Sequence, residues 1–187
     1  MFEIATIILF GIWKYYWHIT EQIADREKPK NSTSKKSLLR KHFTTFAGFG
    51  LLLQFIGVRI LPMPESVATQ ILGVVIVLVG VIIGISARKS LGTNWNHAYE
   101  YQVKKNHELI TNGIYKYVRH PIYLGLLLSL VGAELVAKSY LFIPFLVIGL
   151  YLAVLQGKQE EKILLNHFGD EYKKYMKTSR MLLPFLL

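Results

Sequence analysis

Two stretches of this chain concentrate side chains able to do chemistry. Residues 88–120 hold Asn94, Trp95, Asn96, His97, Glu100, His107, Glu108, Tyr115, Arg119 and His120 with no long apolar run between them, and further on Glu160 and Glu161 stand side by side. Histidine titrates near neutral pH and carboxylates pair with cations, so the set can move protons or hold a charged ligand. Arg119 and His120 immediately precede Pro121, whose fixed φ and missing N–H suit the first turn of a helix. Cationic groups at such a junction serve either as lipid headgroup anchors or as ligand contacts. Taken singly, His97 and His107 are ordinary loop hydrogen-bonders, Asn94 reads as a helix or turn cap, Trp95 is as much an interfacial anchor as a pocket wall, and neighbouring acids on a helix are ordinarily solvated. His18 and His42, at helix ends, carry no role, and no H-x-x-x-H, C-x-x-C or D-x-D spacing supports a metal site.

The elements that must position these groups are apolar. In 187 residues, 52% are hydrophobic and 18% charged, and the mean hydropathy of +0.32 is too high for an ordinary soluble domain. The low charge fraction excludes disorder, and the absence of cysteine excludes a disulfide scaffold. Residues 66–87 carry no charge and are rich in Val, Ile, Leu and Gly, long enough to cross a bilayer. Weaker apolar segments at 2–20, 43–61, 121–137 and 140–156 bring the expectation to about five transmembrane helices in an all-α integral membrane protein. The first does not read as a cleavable signal, since Glu3 replaces a basic start and Trp13, Tyr15, Tyr16 and Trp17 form an interfacial belt. The chain reads as one membrane domain, 1–187, with two N-terminal helices and their basic loop in 1–61 and the chemistry-bearing core in 62–187.

Charge sets the orientation. Of the 22 Lys and Arg, 19 fall in three segments, 26–41, 88–120 and 157–180, which five helices place on one side. That side is expected to be cytoplasmic, with the N-terminus outside, in a prokaryotic cell membrane. The same placement accounts for the formal net charge of +10 through topology and anionic lipid at the cytoplasmic face rather than nucleic acid, and residues 28–36 read as a solvated loop. The fifth helix should run past the membrane through Gly157 to His167, bringing Glu160 and Glu161 to the same aqueous boundary as His120. Gly169 should stop it and Asp170 cap a last helix, whose Tyr172, Tyr175 and Met176 fit a surface lid or brace. Glu134 reads as interfacial, and Gly80, Gly84, Gly125, Gly132 and Gly149 permit close helix approach or a lipid-sized gap.

The run Gly113-Ile114-Tyr115-Lys116-Tyr117-Val118-Arg119-His120-Pro121-Ile122-Tyr123-Leu124-Gly125 resembles the signature of the isoprenylcysteine carboxyl methyltransferase family, which is related to phospholipid N-methyltransferases. Asn94 to His97, His107 to Ile110, Glu160-Glu161, Phe168 to Tyr172 and Leu183-Pro184 arrive in the family's order, so the resemblance covers residues 88–187 and leaves the first two helices generic. It implies a membrane enzyme that binds S-adenosyl-L-methionine at the cytoplasmic face and methylates a lipid-embedded acceptor, either a membrane lipid or a lipidated small molecule or protein. Carried over by position, the cofactor contacts are Glu100, His107, Glu108, Leu109, Ile110, Tyr115, His120, Pro121, Ile122, Tyr123 and Glu160. Arg119, His97 and Glu161 become the catalytic candidates and Gln156 the substrate contact. Glu100 stands where eukaryotic members tend to have glutamine, and Gln156 where they carry an arginine assigned to the substrate, a departure that bears on which acceptor this chain takes.

The residue types suit that cofactor. Glu160 can accept from its ammonium, Arg119 or His120 can pair with its carboxylate, and Tyr115 and Tyr123 can pack on adenine or sulfonium. No glycine-rich dinucleotide fingerprint is present, which excludes the soluble methyltransferase kind of site. An anionic acceptor needs no general base, whereas an amine would call on His97, His107 or Glu161. Phospholipid N-methylation is the alternative reading. Membrane sterol reductases, with NADPH and a distant Arg-His and Tyr pattern, are a further one.

Overall fold

The structure, a computed structural model, describes residues 1–25, 48–92 and 108–183, with side chains omitted for 21–25. Within these, helices α1 (Phe2–Asp25), α2 (residues 48–55), α3 (Val67–Leu91), α4 (Pro121–Val136), α5 (Phe142–Phe168) and α6 (Asp170–Thr178) follow in order, with a 3-10 turn at Gly113–Lys116. The described residues form no strand, only isolated bridges between Pro62 and Ser139 and between Val118 and Arg180, so the all-α expectation holds.

The β-branched run of α3 would be a poor helix in water, but hydrocarbon offers backbone groups no other partner than their own helix. Ser66 caps its start by accepting from the Thr69 N–H at 3.3 Å, and Arg88 and Lys89 suit the negative end of its dipole. With 25 residues α3 reaches about 37 Å, and α5 with 27 reaches about 40 Å, against a hydrocarbon core of about 30 Å. These two are long and apolar enough to span a membrane, and α4, with 16 residues, is a shorter apolar helix between them.

α3 and α4 run antiparallel along a seam of glycines. A Cβ on Gly80 would lie 2.7 Å from the Gly125 carbonyl and one on Gly125 2.7 Å from the Gly80 carbonyl; Gly73 and Gly132 repeat the arrangement one heptad away at 2.7 and 2.6 Å. Of the two uses expected for these glycines, close approach is the one observed here, because the backbones leave no space for a lipid. Trp13 of α1 packs on Gly84 and joins Leu51, Val77, Val81 and Ala133 in the core.

At one end of the bundle the 56–65 link pairs with the turn after α4 through the Met63 N–H to the Lys138 carbonyl at 2.7 Å and the Tyr140 N–H to the Leu61 carbonyl at 2.8 Å. Glu134, expected at the interface, instead turns inward at 1% exposure, where the Gln54 amide donates to its carboxylate at 3.2 Å. Burial of an acid is tolerable when a donor meets it.

The other end holds the candidate site. α5 continues unbroken to Phe168, as the sequence implies, and Gly169 turns the chain at φ +54°. Asp170 does not cap α6: Gly169 takes that position, and Asp170 lies in the first turn, where Lys173 donates to it at 2.8 Å. The face of α6 carrying Tyr172 and Tyr175 is buried, and residues 179–181 run alongside 117–120 through three backbone hydrogen bonds.

Candidate active site

Gly113, with φ +59°, opens the signature segment where a side chain would strike Ser90 Oγ at 2.8 Å. The turn that follows buries Tyr115, whose carbonyl accepts from the Tyr175 hydroxyl at 2.6 Å, and Val118 at 2% exposure. Pro121 then starts α4 as expected, leaving Arg119 and His120 at its entrance.

Facing them is one side of α5. Gln156, Gly157, Glu160 and Glu161 occur at spacings that place them on a common helical face. Arg119 Nε donates to Glu161 Oε1 at 2.6 Å, and Arg119 Nη1 to the Ser179 carbonyl at 2.5 Å, so one guanidinium ties the signature, α5 and the C-terminal segment together. Both side chains of this pair are less than a tenth exposed. His120 lies between the acids, Nδ1 at 3.3 Å from Glu160 and Nε2 at 3.4 Å from Glu161. The second contact is too poorly aligned for a hydrogen bond and leaves Nε2 a buried nitrogen without one. Glu160 Oε1 accepts from the Tyr123 hydroxyl and, at 3.2 Å, from the Gln156 amide. The His120 and Tyr123 rings stack at 5.7 Å, and Gly157 makes room for the imidazole, which a Cβ would meet at 3.0 Å.

Charge is balanced within this cluster. Burial alone would lower the His120 pKa, but its close contacts with the Glu160 and Glu161 carboxylates more than reverse this and hold it above the usual histidine value. Arg119 neutralises Glu161, and the raised His120 pKa favours the imidazolium beside the two acids, the kind of pairing under which buried charges persist. Burial likewise pushes the Tyr175 hydroxyl up to about 12 and those of Tyr115 and Tyr172 higher, so all three act as neutral groups.

The structure therefore brings together Arg119, His120, Pro121, Tyr123, Gln156, Glu160 and Glu161. Tyr115 lies buried behind them, Ile122, Leu109 and Ile110 are half-buried, and Glu108 is exposed. His97, Glu100 and His107 lie outside the described residues. Sequence reasoning missed Ser179, whose carbonyl completes the Arg119 fork, and nothing local marks it. It also missed Gly157, which a glycine inside a long helix beside Gln156 does signal.

Apolar helices of spanning length, with a buried charged cluster at one end of the bundle, are the arrangement expected of an integral membrane enzyme. A family model for phospholipid methyltransferases matches residues 68–171, and the chain belongs to that family. It is a membrane methyltransferase. The protein-S-isoprenylcysteine O-methyltransferase of Dictyostelium discoideum is 29% identical over 184 residues, covering 94% of this chain and 73% of that one. Its Homo sapiens counterpart is 26% identical over 175 residues, covering 91% and 62%, and that of Schizosaccharomyces pombe 32% identical over 104, covering 54% and 43%. The solved structure of a eukaryotic intramembrane Ras methyltransferase, an isoprenylcysteine carboxyl methyltransferase, superposes with a TM-score of 0.65 at 19% identity, over 97% of this chain and 68% of that one, and so shares its fold. Methyl transfer thereby displaces the reductase reading.

Proposed function

We propose that this protein transfers a methyl group from S-adenosyl-L-methionine to a lipid-embedded carboxylate, as an isoprenylcysteine O-methyltransferase does. The donor set suits the cofactor: Glu160, with its side chain 26% exposed, can accept from an ammonium, and the buried His120 Nε2, without a hydrogen-bond partner, can donate to a carboxylate. Tyr123 and Tyr115 would flank the ring system, with Leu109, Ile110, Pro121 and Ile122 as apolar wall and Glu100, His107 and Glu108 completing the set by family position.

One observation favours a carboxylate over an amine. An amine acceptor must lose a proton to a base, and the two acids of the cluster are engaged: Glu161 by Arg119 at 2.6 Å, Glu160 by Tyr123, Gln156 and His120. That leaves His97 and His107, which lie outside the described residues, as the bases an amine would require. When bound, the cofactor supplies an electrophilic methyl on a sulfonium. A carboxylate attacking it annihilates charge, which a low-dielectric site favours, and the residues' task becomes orientation and exclusion of water. In this reading Arg119 and Glu161 act by holding the site's frame, and Gln156 faces the acceptor as a neutral donor.

The remaining features belong to the same proposal: five spans, the N-terminus outside, and the site on the cytoplasmic side of the cell membrane. Exposed Lys116, Lys158, Lys162, Lys173, Lys174, Lys177 and Arg180 at the site end suit anionic lipid there. Supplying liposome-reconstituted protein with methyl-labelled cofactor and either a farnesylated cysteine or phosphatidylethanolamine tests the acceptor. Label released as volatile methanol by alkali marks a methyl ester and supports the reading; alkali-stable label on the amine lipid contradicts it.

A further inference from the structure

Arg88, in the last turn of α3, is the largest fully buried side chain among the described residues, at 1% exposure. Burying a guanidinium is costly unless its N–H groups are met. Here Nε donates to Thr20 Oγ1 at 3.1 Å, Nη2 to the Thr20 carbonyl at 2.8 Å and Nη1 to the Gly92 carbonyl at 3.1 Å, while the Trp17 ring lies 5.7 Å from the charge. The Thr20 hydroxyl in turn donates to the Tyr16 carbonyl at 2.9 Å, so it is fixed from both sides.

Gly92 is held twice by the same residue. Its N–H donates to the Arg88 carbonyl, closing α3, and its own carbonyl accepts from the Arg88 side chain. With φ at +51°, Gly92 closes α3 in a left-handed backbone conformation that a side chain would strain. Two residues earlier on α3, Ser90 Oγ abuts Gly113, where the turn bearing Tyr115 begins.

We infer that Arg88 is a positioning residue of the cofactor site: in one fork it joins Thr20 of α1 to Gly92 at the end of α3, and so makes α1 part of the frame on which the Tyr115 turn rests. This builds on the proposal that the site takes S-adenosylmethionine. It also gives α1, which precedes the region matched by the family model, a role beyond anchoring. A lysine cannot replace the arginine, because a single ammonium does not reach both partners in the geometry of a planar fork.

The test uses the full chain in lipid nanodiscs, with S-adenosylhomocysteine affinity by calorimetry, KM for methyl donor and for acceptor separately, and thermal unfolding. Arg88→Ala and Arg88→Lys should both raise Kd about tenfold and raise the donor KM to match, with the acceptor KM unchanged. Thr20→Val, which keeps the carbonyl contact, should do so more weakly. Should Arg88→Ala fail to accumulate, Arg88→Lys and Thr20→Val decide. A lowered melting temperature with unchanged Kd in the folded protein would show a purely structural role and overturn the inference, as would Arg88→Lys matching wild type. Wild-type protein that binds no S-adenosylhomocysteine overturns the cofactor proposal as well, whereas binding that is equal in wild type and variants overturns the Arg88 role alone.

Discussion

Arg119 and His120 are neighbours in sequence held in different ways. Arg119 is committed to Glu161 and the Ser179 carbonyl, both internal partners. Removing one member of such a buried pair costs about 3–5 kcal/mol because the other charge is stranded. Arg119→Ala should therefore lower unfolding stability in detergent by that amount, and Arg119→Met combined with Glu161→Leu should recover much of it. His120 has a folded pKa raised above 6.5 by Glu160 and Glu161, with Arg119 and Tyr123 also facing the cluster. Its stabilisation is thus full below pH 6.5 and lost as pH rises through the folded value. The melting temperature should fall as the pH rises from 6.5 through that value in wild type and fall less in His120→Gln. At this scale the signature was legible because its residues are contiguous, and Glu160 and Glu161 because helix rise carries them to the same level. Ser179 and Tyr175 were not, since they act through contacts distant in sequence, and Arg88 counted in the sequence only as one of many topological charges.

Helix identity was readable from apolar length, but helix ends and faces depended on tertiary packing. Asp170 carries a good capping side chain, yet Gly169 at φ +54° takes the cap position. Glu134 is placed by α2, whose Gln54 draws it inward. The glycines were legible as small residues but not as a closed seam, because their register depends on how α3 and α4 meet. That seam predicts a contrast. Gly80→Ala forces a Cβ to 2.4 Å from Ser129 Oγ and 2.7 Å from a backbone carbonyl, and should destabilise the protein by about 1–3 kcal/mol or more. Gly11→Ala on α1 meets nothing within 4 Å and should be neutral or stabilising in the same unfolding measurement.

Across the whole molecule, the opposite ends of the bundle differ in character: one holds the 56–65 link and the turn after α4, the other the site and the basic C-terminal helix. With 19 of 22 basic residues in three segments, single cysteines at positions 35, 105 and 174 should resist an impermeant thiol reagent applied outside intact cells, and labelling of any of them would overturn the orientation. In the proposed function the cluster of His120, Tyr123 and Glu160 holds S-adenosylmethionine. Titration calorimetry of the purified protein with S-adenosylhomocysteine and NADPH in parallel tests it most directly. S-adenosylhomocysteine should bind and NADPH should not, with Glu160→Gln weakening binding by about 1.5–3 kcal/mol while the protein stays folded. NADPH binding in place of S-adenosylhomocysteine, or affinity unaffected by Glu160→Gln, would contradict it.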